Sequence, residues 1–416
     1  MKKHNFYPLF CKIQQYAWGK FGTNSIAGKL WSSNQDKILD SNTPYAEFWV
    51  GDHPNGPSEV GLKSKKVTIP EFFSQDLSLL GPSILNFTNN EPRLPFLLKV
   101  LSINKSLSIQ SHPDKKLAKR LHSQRPEIYK DPNHKPELAI ALTYLEAFVG
   151  FRDPLEIYNN LMNYQPCKDL VGVELVNNLK KQISNKDGKA VAKTLKEIFK
   201  AISTAKADIV STKADELIEL IHNKSENEFT SDEKLILRLN KQFPGDVGIF
   251  LSFLMKYRHL KPNQAIFIGP NTAHNYLAGE IIECMATSDN VIRAGLTPKY
   301  KDVEQLIEML DYDILGKPSN QIMDGVEIEK GIFQYKIPVQ DFLVQIIHMG
   351  KNQTLQLPTS HSSSVFLLLN GTISNKDQDQ QKYSSGTVWF IPQDSEINIS
   401  SHDQTVLAVQ AMLGKN

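Results

Sequence analysis

The pattern of apolar and polar positions changes twice along the chain. Up to about Phe151, short apolar runs such as residues 94–101 lie between turn clusters rich in Asn, Gly and Pro, which predicts a sheet with helical excursions. Between Asp153 and about Leu260, apolar residues recur at intervals of three and four, a spacing typical of helices. Strand character returns at residues 265–268 and continues to the end. The pattern therefore predicts a mainly β protein with an all-helical insertion.

The helical stretch begins with Pro154, a residue that suits the first turn of a helix. Its periodicity is clearest in two groups of apolar residues, which are Leu195, Ile198 and Ile202, and then Leu217, Leu220 and Ile221. We expect these groups to form the buried faces of two helices.

The last part of the chain carries short apolar runs that are separated by Gly, Asn and Pro. They lie at residues 342–350, 363–371, 386–392 and 405–411. Short strands at this spacing are typical of a jelly-roll or cupin-like barrel. Its histidines, which are His348, His361 and His402, are widely separated in sequence. We therefore expect this barrel to be structural and not to hold a metal.

Length and composition fit a large folded protein. The chain has 416 residues, of which 40% are hydrophobic and 22% charged, enough for two or three domains. The formal net charge is +2 and the basic residues are scattered, which argues against nucleic acid or an anionic membrane as a partner. An anionic ligand would have to be held by a local cluster of donors.

Compartment is predicted from what the sequence lacks. There is no apolar run of signal-peptide length at the amino terminus, and no window approaches about 18 continuous apolar residues. The cysteines Cys11, Cys167 and Cys284 are far apart and lack metal-motif spacing, so a disulfide framework is not expected. We expect a cytoplasmic protein that does not span a membrane.

Gln110 and His112 are the first candidate metal ligands. On a strand, residues two apart point to the same face, so both side chains could reach one ion. Asp114 follows as a plausible N-cap for a helix that continues through Leu117 and Leu121. Taken alone, a Gln or His on a strand is more often simply hydrogen-bonded.

Lys135 and Glu137 are also two apart, and Pro136 between them disfavours helix and favours an extended path. A carboxylate and an ammonium would then share one wall of a site. By themselves these residues could equally form a surface ion pair, which contributes roughly 0 to 1 kcal/mol.

Residues 267–300 carry the third candidate segment. His274 stands just past a Pro-Asn turn, Glu283 lies on an extended stretch, and Arg293 follows an Asp-Asn turn. For His274 alone, a core histidine with a satisfied hydrogen bond is an equally good interpretation. Cys284, next to Glu283, is interpreted as a buried apolar residue.

Together these segments offer two His, one Glu and one Gln, which are N and O donors suited to zinc and to other first-row divalent ions. The donor set does not by itself select the metal. Without thiolates, and with room left for water or substrate, such a site would be catalytic in type.

At these same residues the sequence strongly resembles the type I phosphomannose isomerases. The resemblance also takes in residues 14–22 (QQYAWGKFG), 46–58 (AEFWVGDHPNGPS) and 94–115 (LPFLLKVLSINKSLSIQSHPDK). It runs to about Val303, is weakest across the helical stretch and fades in the terminal barrel. Several long segments in the same order are far more specific than one short motif.

The resemblance implies a fold and a set of site residues. The implied fold is mainly β with a helical insertion: a cupin-like catalytic domain (residues 1–152 with 261–325), an all-α domain (153–260) and a second cupin-like domain (326–416). The family's zinc ligands fall on Gln110, His112, Glu137 and His274, which implies one divalent ion per chain. Its active-site arginine, lysine and acid fall on Arg293, Lys135 and Glu283. Two departures, Ser111 in place of a small apolar residue and Asn275 in place of Ala, replace no ligand but affect fine substrate orientation.

The implied activity is the interconversion of mannose 6-phosphate and fructose 6-phosphate through an enediol, feeding mannose and GDP-mannose metabolism. Zinc would bind or polarise the sugar oxygens while Lys135 and Arg293 stabilise an oxyanion. Glu283 is the preferred proton-transfer group, with His274 and Lys135 as rivals.

For the substrate phosphate we expect contacts from Lys299 above all, and from Ser108. We expect a monomer rather than an oligomer, with a small sugar phosphate as the only ligand class besides the metal. Gly19, Trp18 and the turn at residues 51–58 are expected to be architectural, because glycines supply special backbone conformations and aromatics fill core space.

Two other functions compete with the isomerase. A cupin-type metal oxygenase would use His-rich facial ligation around iron, and Gln110 counts against it. A sugar-phosphate-binding module that has lost turnover would keep the barrel and the ligands.

Overall fold

The structure is a computed structural model that describes residues 5–62, 65–315, 321–358, 360–375 and 381–414. Parts of the predicted cupin-like domains, at residues 1–4, 63–64, 316–320, 359, 376–380 and 415–416, lie outside the described residues. The fold is mainly β with a helical insertion, as the sequence pattern predicts.

Up to Phe151 the chain alternates strands with short helices. The strands are β1 (Tyr7–Phe10), β2 (Lys12–Gln14), β3 (Lys20–Phe21), β4 (Pro44–Tyr45), β5 (Glu47–Val50), β6 (Glu59–Leu62), β7 (Lys65–Thr68), β8 (Phe96–Ile103), β9 (Ile109–Ser111), β10 (Glu137–Ala141) and β11 (Leu145–Phe151). The α-helices are α1 (Ile26–Gln35), α2 (Ile69–Gln75), α3 (Gly81–Phe87) and α4 (Lys115–Gln124), with 3-10 turns at Gly22–Asn24 and Leu77–Leu79. Asp114 caps α4 as predicted, because its side chain accepts a hydrogen bond from the Leu117 amide.

The insertion is a helical bundle. Its helices are α5 (Pro154–Asn163), α6 (Gln165–Val171), α7 (Val173–Ser184), α8 (Gly188–Ser203), α9 (Ala207–His222), α10 (Ser231–Gln242) and α11 (Gly248–Leu251), with a 3-10 turn at Glu226–Glu228. The apolar residues that the periodicity singles out on α8 and α9 are buried, except Leu220, which is 42% exposed. The helical part ends at Leu251, earlier than residue 260, because the next residues pair with β11 as strand β12 (Met255–Leu260).

The rest of the chain is again mostly strands. The first group is β13 (Gln264–Ile268), β14 (His274–Ala286), β15 (Ile292–Gly295) and β16 (Ile322–Asp324), with helix α12 (Val303–Met309). The second is β17 (Val326–Glu329), β18 (Ile332–Gln334), β19 (Leu343–Met349), β20 (Thr354–Gln356), β21 (Ser364–Asn370), β22 (Thr372–Asn375), β23 (Lys382–Ser384), β24 (Val388–Ile391), β25 (Asn398–Ser401) and β26 (Val406–Met412).

Strand β14 is the centre of the sheet that carries the candidate residues. This sheet runs β16-β13-β10-β14-β8-β5-β2, and β11 and β9 pair with β14 as well. Because β14 is 13 residues long, one half of it pairs with β8 and β10 while the other half pairs with β11 and β9. Four neighbouring strands are thereby fixed around a single strand.

The terminal strands form a second large sheet together with the amino-terminal strands. Its order is β17-β18-β19-β26-β21-β24-β1-β6-β7, with Tyr7 opposite Phe390 where β1 meets β24. One hydrophobic core lies between the two large sheets, with Phe48 and Ile282 from one sheet and Val344 and Leu367 from the other. A further core, which includes Trp389, fills the terminal unit beneath a small sheet of β20, β25, β22 and β23. The terminal strands are therefore packed against the sheet that carries the site.

Candidate metal centre and substrate cleft

Strand pairing brings the candidate metal ligands together from distant parts of the sequence. Gln110 on β9 lies opposite His274 at the start of β14, and also opposite Arg293 on β15. Glu137 begins β10 and pairs with Met285 near the far end of β14. The site is thus built where β9 and β10 meet two ends of the same strand.

His112, Glu137 and His274 form a compact buried cluster. The Glu137 Oε1 atom lies 3.1 Å from His112 Nε2, and Oε2 lies 3.4 Å from His274 Nε2. One ligand atom from each residue lies within 4.8 Å of the others, and all three residues are buried. This geometry would allow the three side chains to hold one metal ion.

The hydrogen bonds of the two histidines leave their Nε2 atoms turned to the cluster. His112 Nδ1 lies 2.6 Å from the Asn290 carbonyl oxygen, and His274 Nδ1 lies 2.9 Å from the Thr272 carbonyl oxygen. Since a carbonyl can only accept, each Nδ1 carries a proton, and Nε2 is the ring atom left to bind a metal ion. Both Nε2 atoms are buried and have no hydrogen-bond partner among the described residues. Such an arrangement is typical of metal-ligating histidines with a supporting hydrogen bond.

The charge states suit a cation. Burial lowers the pKa of His112 to about 4, so its imidazole is neutral near pH 7. Burial alone would raise the pKa of Glu137, but the neighbouring His112 and Lys135 lower it well below the ordinary value. The cluster therefore offers the neutral His112 imidazole beside the Glu137 carboxylate.

Gln110 and Lys135 stand at the edge of the cluster. Gln110 is partly buried, and its Oε1 atom accepts a hydrogen bond of 3.3 Å from Ser108 Oγ. Lys135 Nζ lies 3.3 Å from Glu137 Oε1. Both side chains line a cleft that lies in front of the cluster.

The cleft has a volume of about 480 Å³, enough for a small ligand. Its wall includes five residues that the sequence suggests for catalysis or phosphate binding, which are Lys135, Glu283, Arg293, Ser108 and Lys299, whereas His274, a rival proton-transfer group, is not among its lining residues. Arg293 is partly buried, and this burial lowers its pKa from the usual value. Lys299 is exposed, with Nζ 5.8 Å from the centre of the Tyr16 ring. Metal cluster, acid and cations thus face one space.

Comparison with known proteins gives the family. The model of the phosphomannose isomerase type I catalytic domain matches residues 6–154, and that of the type I helical insertion domain matches residues 170–255. Mannose-6-phosphate isomerase 1 of Arabidopsis thaliana is 38% identical over 94% of this chain and 90% of its own. The mannose-6-phosphate isomerase of Rattus norvegicus is 37% identical over 94% of each chain. The chain belongs to the type I phosphomannose isomerase family.

Solved structures of phosphomannose isomerases share the whole fold. The mannose 6-phosphate isomerase from Salmonella typhimurium bound to fructose 6-phosphate and zinc matches with a TM-score of 0.81 and 25% identity, over 99% of this chain and 100% of that one. A structure of a point mutant of the Salmonella phosphomannose isomerase, in which an arginine is replaced by alanine, matches with a TM-score of 0.82 and 26% identity over the same shares. The predicted family and fold class are confirmed. No helix in the described ranges is both long and apolar enough to cross a membrane.

The cleft also holds a buried ion network that the sequence did not single out. Lys99 Nζ lies 3.0 Å from Glu283 and 3.4 Å from Glu47, whose carboxylate also accepts from Trp49 Nε1 at 2.7 Å. Burial raises the pKa of Glu283. Burial alone would lower the pKa of Lys99, but the two carboxylates outweigh it and the pKa is raised. The sequence signal for this network was Lys99, a single lysine inside the apolar run of β8.

The turn at residues 51–58, expected to be architectural, reaches the cleft as well. His53 Nε2 lies 3.2 Å from one oxygen of Asp289, and Asn55 donates to the other at 3.1 Å. All three residues line the cleft, as does Trp18. A glycine is needed at position 19 for a structural reason, because an added Cβ would lie 2.7 Å from the Ala46 Cα atom.

Proposed function

We propose that this chain interconverts mannose 6-phosphate and fructose 6-phosphate at a zinc site formed by Gln110, His112, Glu137 and His274. The observation that carries the proposal is the pair of unpartnered Nε2 atoms facing the Glu137 carboxylate beside a cleft of sugar size. The names of the curated relatives and the zinc and fructose 6-phosphate in the Salmonella structure support the same reaction and the same metal.

The residues fit zinc because imidazole nitrogens, a carboxylate and an amide oxygen are donors that the ion accepts. When bound, the ion would supply a Lewis acid that polarises a sugar oxygen. Gln110, Lys135 and Glu137 all line the cleft, so an ion held there would be open to a sugar oxygen. This location suits a catalytic site more than a closed structural one.

The isomerisation moves a proton between C1 and C2 through an enediol, which needs a base near both carbons and positive charge near both oxygens. Lys135 and Arg293, which both line the cleft, supply the positive charge. Glu283 is the preferred proton carrier. Its buried position raises its pKa, which makes a carboxylate a better base than in water.

Phosphate binding falls to Lys299 and Ser108, which line the same cleft. A guanidinium, ammonium or hydroxyl donor at this end would hold the dianion while C1 and C2 stay near the cluster. The proposal extends to a cytoplasmic monomer whose reaction serves mannose and GDP-mannose metabolism.

The deciding experiment is metal analysis combined with a coupled assay for fructose 6-phosphate, before and after chelation and after zinc is added back. We expect one zinc per chain, loss of activity with the metal, and recovery with zinc. Zinc-loaded protein without turnover would indicate a sugar-phosphate-binding module. Oxygen uptake by an iron-loaded sample would instead indicate the oxygenase.

A further inference from the structure

Residues 105–108 form part of the cleft wall and precede the candidate ligand Gln110 in the chain. This segment, called here the 105–108 segment, belongs to the connection between β8 and β9, and each of its four residues lines the cleft. At one end Ser108 donates a hydrogen bond to Gln110. At the other end the Lys105 amide donates to the Trp18 carbonyl oxygen at 3.1 Å.

Two polar side chains from different parts of the molecule hold this segment. Gln242, the last residue of α10, accepts a hydrogen bond of 2.9 Å from the Ser106 amide through Oε1. Asn275 on β14 is fully buried, and its Oδ1 accepts from Ser106 Oγ at 3.2 Å while its Nδ2 donates to the Leu107 carbonyl. The segment is therefore fixed both to the strand that carries His274 and to the helical insertion.

Lys105 is held in a way that leaves its charge available. Its Nζ atom lies 4.1 Å from the centre of the Phe243 ring, a cation–π distance, and the side chain is partly buried. Among the described residues no carboxylate forms an ion pair with Lys105. A cation that faces a cleft without a counter-ion is a good binding partner for an anionic ligand.

We propose that Lys105 is a further binding residue for the phosphate group of the substrate, and that Gln242 is the positioning residue that fixes the 105–108 segment. The inference rests on the proposed function. In a six-carbon sugar 6-phosphate, the phosphate stands at the far end from C1 and C2. Lys105 lies five residues before Gln110, and its Nζ atom lies at the Phe243 ring of the helical insertion, which suits that end of the substrate. The helical insertion thereby takes part in substrate binding through Gln242 and Phe243.

The test compares Gln242→Met, which keeps the side-chain length but loses the acceptor, with Lys105→Met and Lys105→Arg. Gln182→Met is the matched control, because Gln182 belongs to the same helical insertion and bonds Asn178 on its own helix. We expect Gln242→Met to raise the KM for mannose 6-phosphate about three- to tenfold, as the loss of one hydrogen bond implies, with kcat within about twofold. Lys105→Met should raise it about tenfold, and Lys105→Arg should restore most of the affinity.

Inorganic phosphate is the second probe, used as a competitive inhibitor of the holoenzyme. Its inhibition constant should rise in parallel with KM in Gln242→Met and Lys105→Met, and should stay unchanged in Gln182→Met. If Gln242 had only a structural role, Gln242→Met would lower kcat or the melting temperature without raising KM and the phosphate inhibition constant together. Unchanged KM and phosphate inhibition in both Met variants of an active enzyme would overturn the inference. Absence of isomerase activity in the wild-type protein would instead overturn the proposed function. If Gln242→Met fails to fold, Lys105→Met and Lys105→Arg still test the inference, because they alter a partly exposed side chain.

Discussion

Glu283 is the residue on which the proposed proton transfer depends. Glu283→Gln keeps the shape of the side chain but removes its basicity, so exchange of the C2 proton with solvent should be lost while bound zinc stays normal. The measurement is incorporation of solvent deuterium at C2, with metal analysis of the same sample. Glu280→Gln is the control, because Glu280 lies on the same strand, is buried, and pairs with Lys20 at 2.8 Å. If exchange persists in Glu283→Gln, the proton-transfer group must be another residue, such as His274 or Lys135.

A substitution at Lys299 tests binding of the substrate phosphate separately from proton transfer. Removal of one cation from a phosphate contact at an exposed site should raise the KM for mannose 6-phosphate about five- to tenfold in Lys299→Ala, with a small effect on kcat. Lys301→Ala, two residues further on and outside the cleft wall, should behave as wild type. Steady-state kinetics of both variants make the comparison. A KM for Lys299→Ala equal to that of Lys301→Ala would remove Lys299 from substrate binding.

Asp52 makes stability depend on pH. Burial raises its pKa to about 7, although the Leu94 amide donates to it at 2.5 Å. Because this folded-state pKa lies above the unfolded value of roughly 3.9, the stability present at low pH is lost as pH rises from about 4 to about 7. Asp52→Asn should therefore be more stable than wild type at pH 8, by about 1–3 kcal/mol, and similar at pH 4.

Melting temperatures of wild type and Asp52→Asn at pH 4.5 and pH 8 would measure this effect. Asp36→Asn, at an exposed aspartate, is the control and should change stability by less than about 0.5 kcal/mol at either pH. The idea fails if the advantage of Asp52→Asn is larger at the lower pH.

Spacing made part of the site predictable at this scale. Gln110 with His112 and Lys135 with Glu137 are two apart, a spacing that gives a shared face in an extended chain, although His112 and Lys135 lie just outside β9 and β10. Lys99, His53 and Asp289 were missed for a physical reason. Each depends on a partner from another strand or turn, and an ion pair across a sheet leaves no local pattern in the sequence.

At the scale of elements, helix α10 is stabilised locally at its amino terminus. Thr230 accepts from the Glu233 amide at 3.1 Å while the Glu233 carboxylate accepts from the Thr230 amide at 2.8 Å, which forms a capping box. Thr230→Val removes the capping hydroxyl and should lower the opening free energy of α10 by about 1 kcal/mol. Native-state hydrogen exchange of the α10 amides measures it. The control Thr212→Val, in an exposed position on α9, should leave α9 almost unchanged. Equal exchange in wild type and Thr230→Val would contradict the prediction.

Helices were predictable from the sequence where their apolar residues form one buried face. Leu195, Ile198 and Ile202 follow the helical period and are buried on α8. Strand β12 was assigned to the helical stretch instead, because its burial is mostly intermediate and it lacks a clear alternation of two. Its structure is decided by pairing with β11, a contact that sequence periodicity does not report.

At the scale of the whole molecule, the least predictable feature is that the two ends of the chain share one sheet. Tyr7 pairs with Phe390, which is nearly the full chain length away, and the same strand also pairs with β6. Composition and periodicity indicate that residues 7–10 are a strand, but not which sheet they join. Only the folded arrangement shows that the terminal strands and the amino-terminal strands form one unit.

This shared sheet predicts that the terminal strands are required for the site. In a fragment of residues 1–325, β1 would lose β24, and the core between the two large sheets would be exposed to water. Exposing about six buried aliphatic or aromatic side chains costs roughly 9–18 kcal/mol at about 1.5–3 kcal/mol each, which equals or exceeds the usual net stability of about 5–15 kcal/mol. We therefore expect the fragment to lack a cooperative thermal transition and to bind no zinc. Co-expression of residues 326–416 as a separate chain is the control and should restore both, because it returns the missing face of the core. A fragment that unfolds cooperatively on its own and holds one zinc would show that the sheet that carries the candidate residues is stable without the terminal strands.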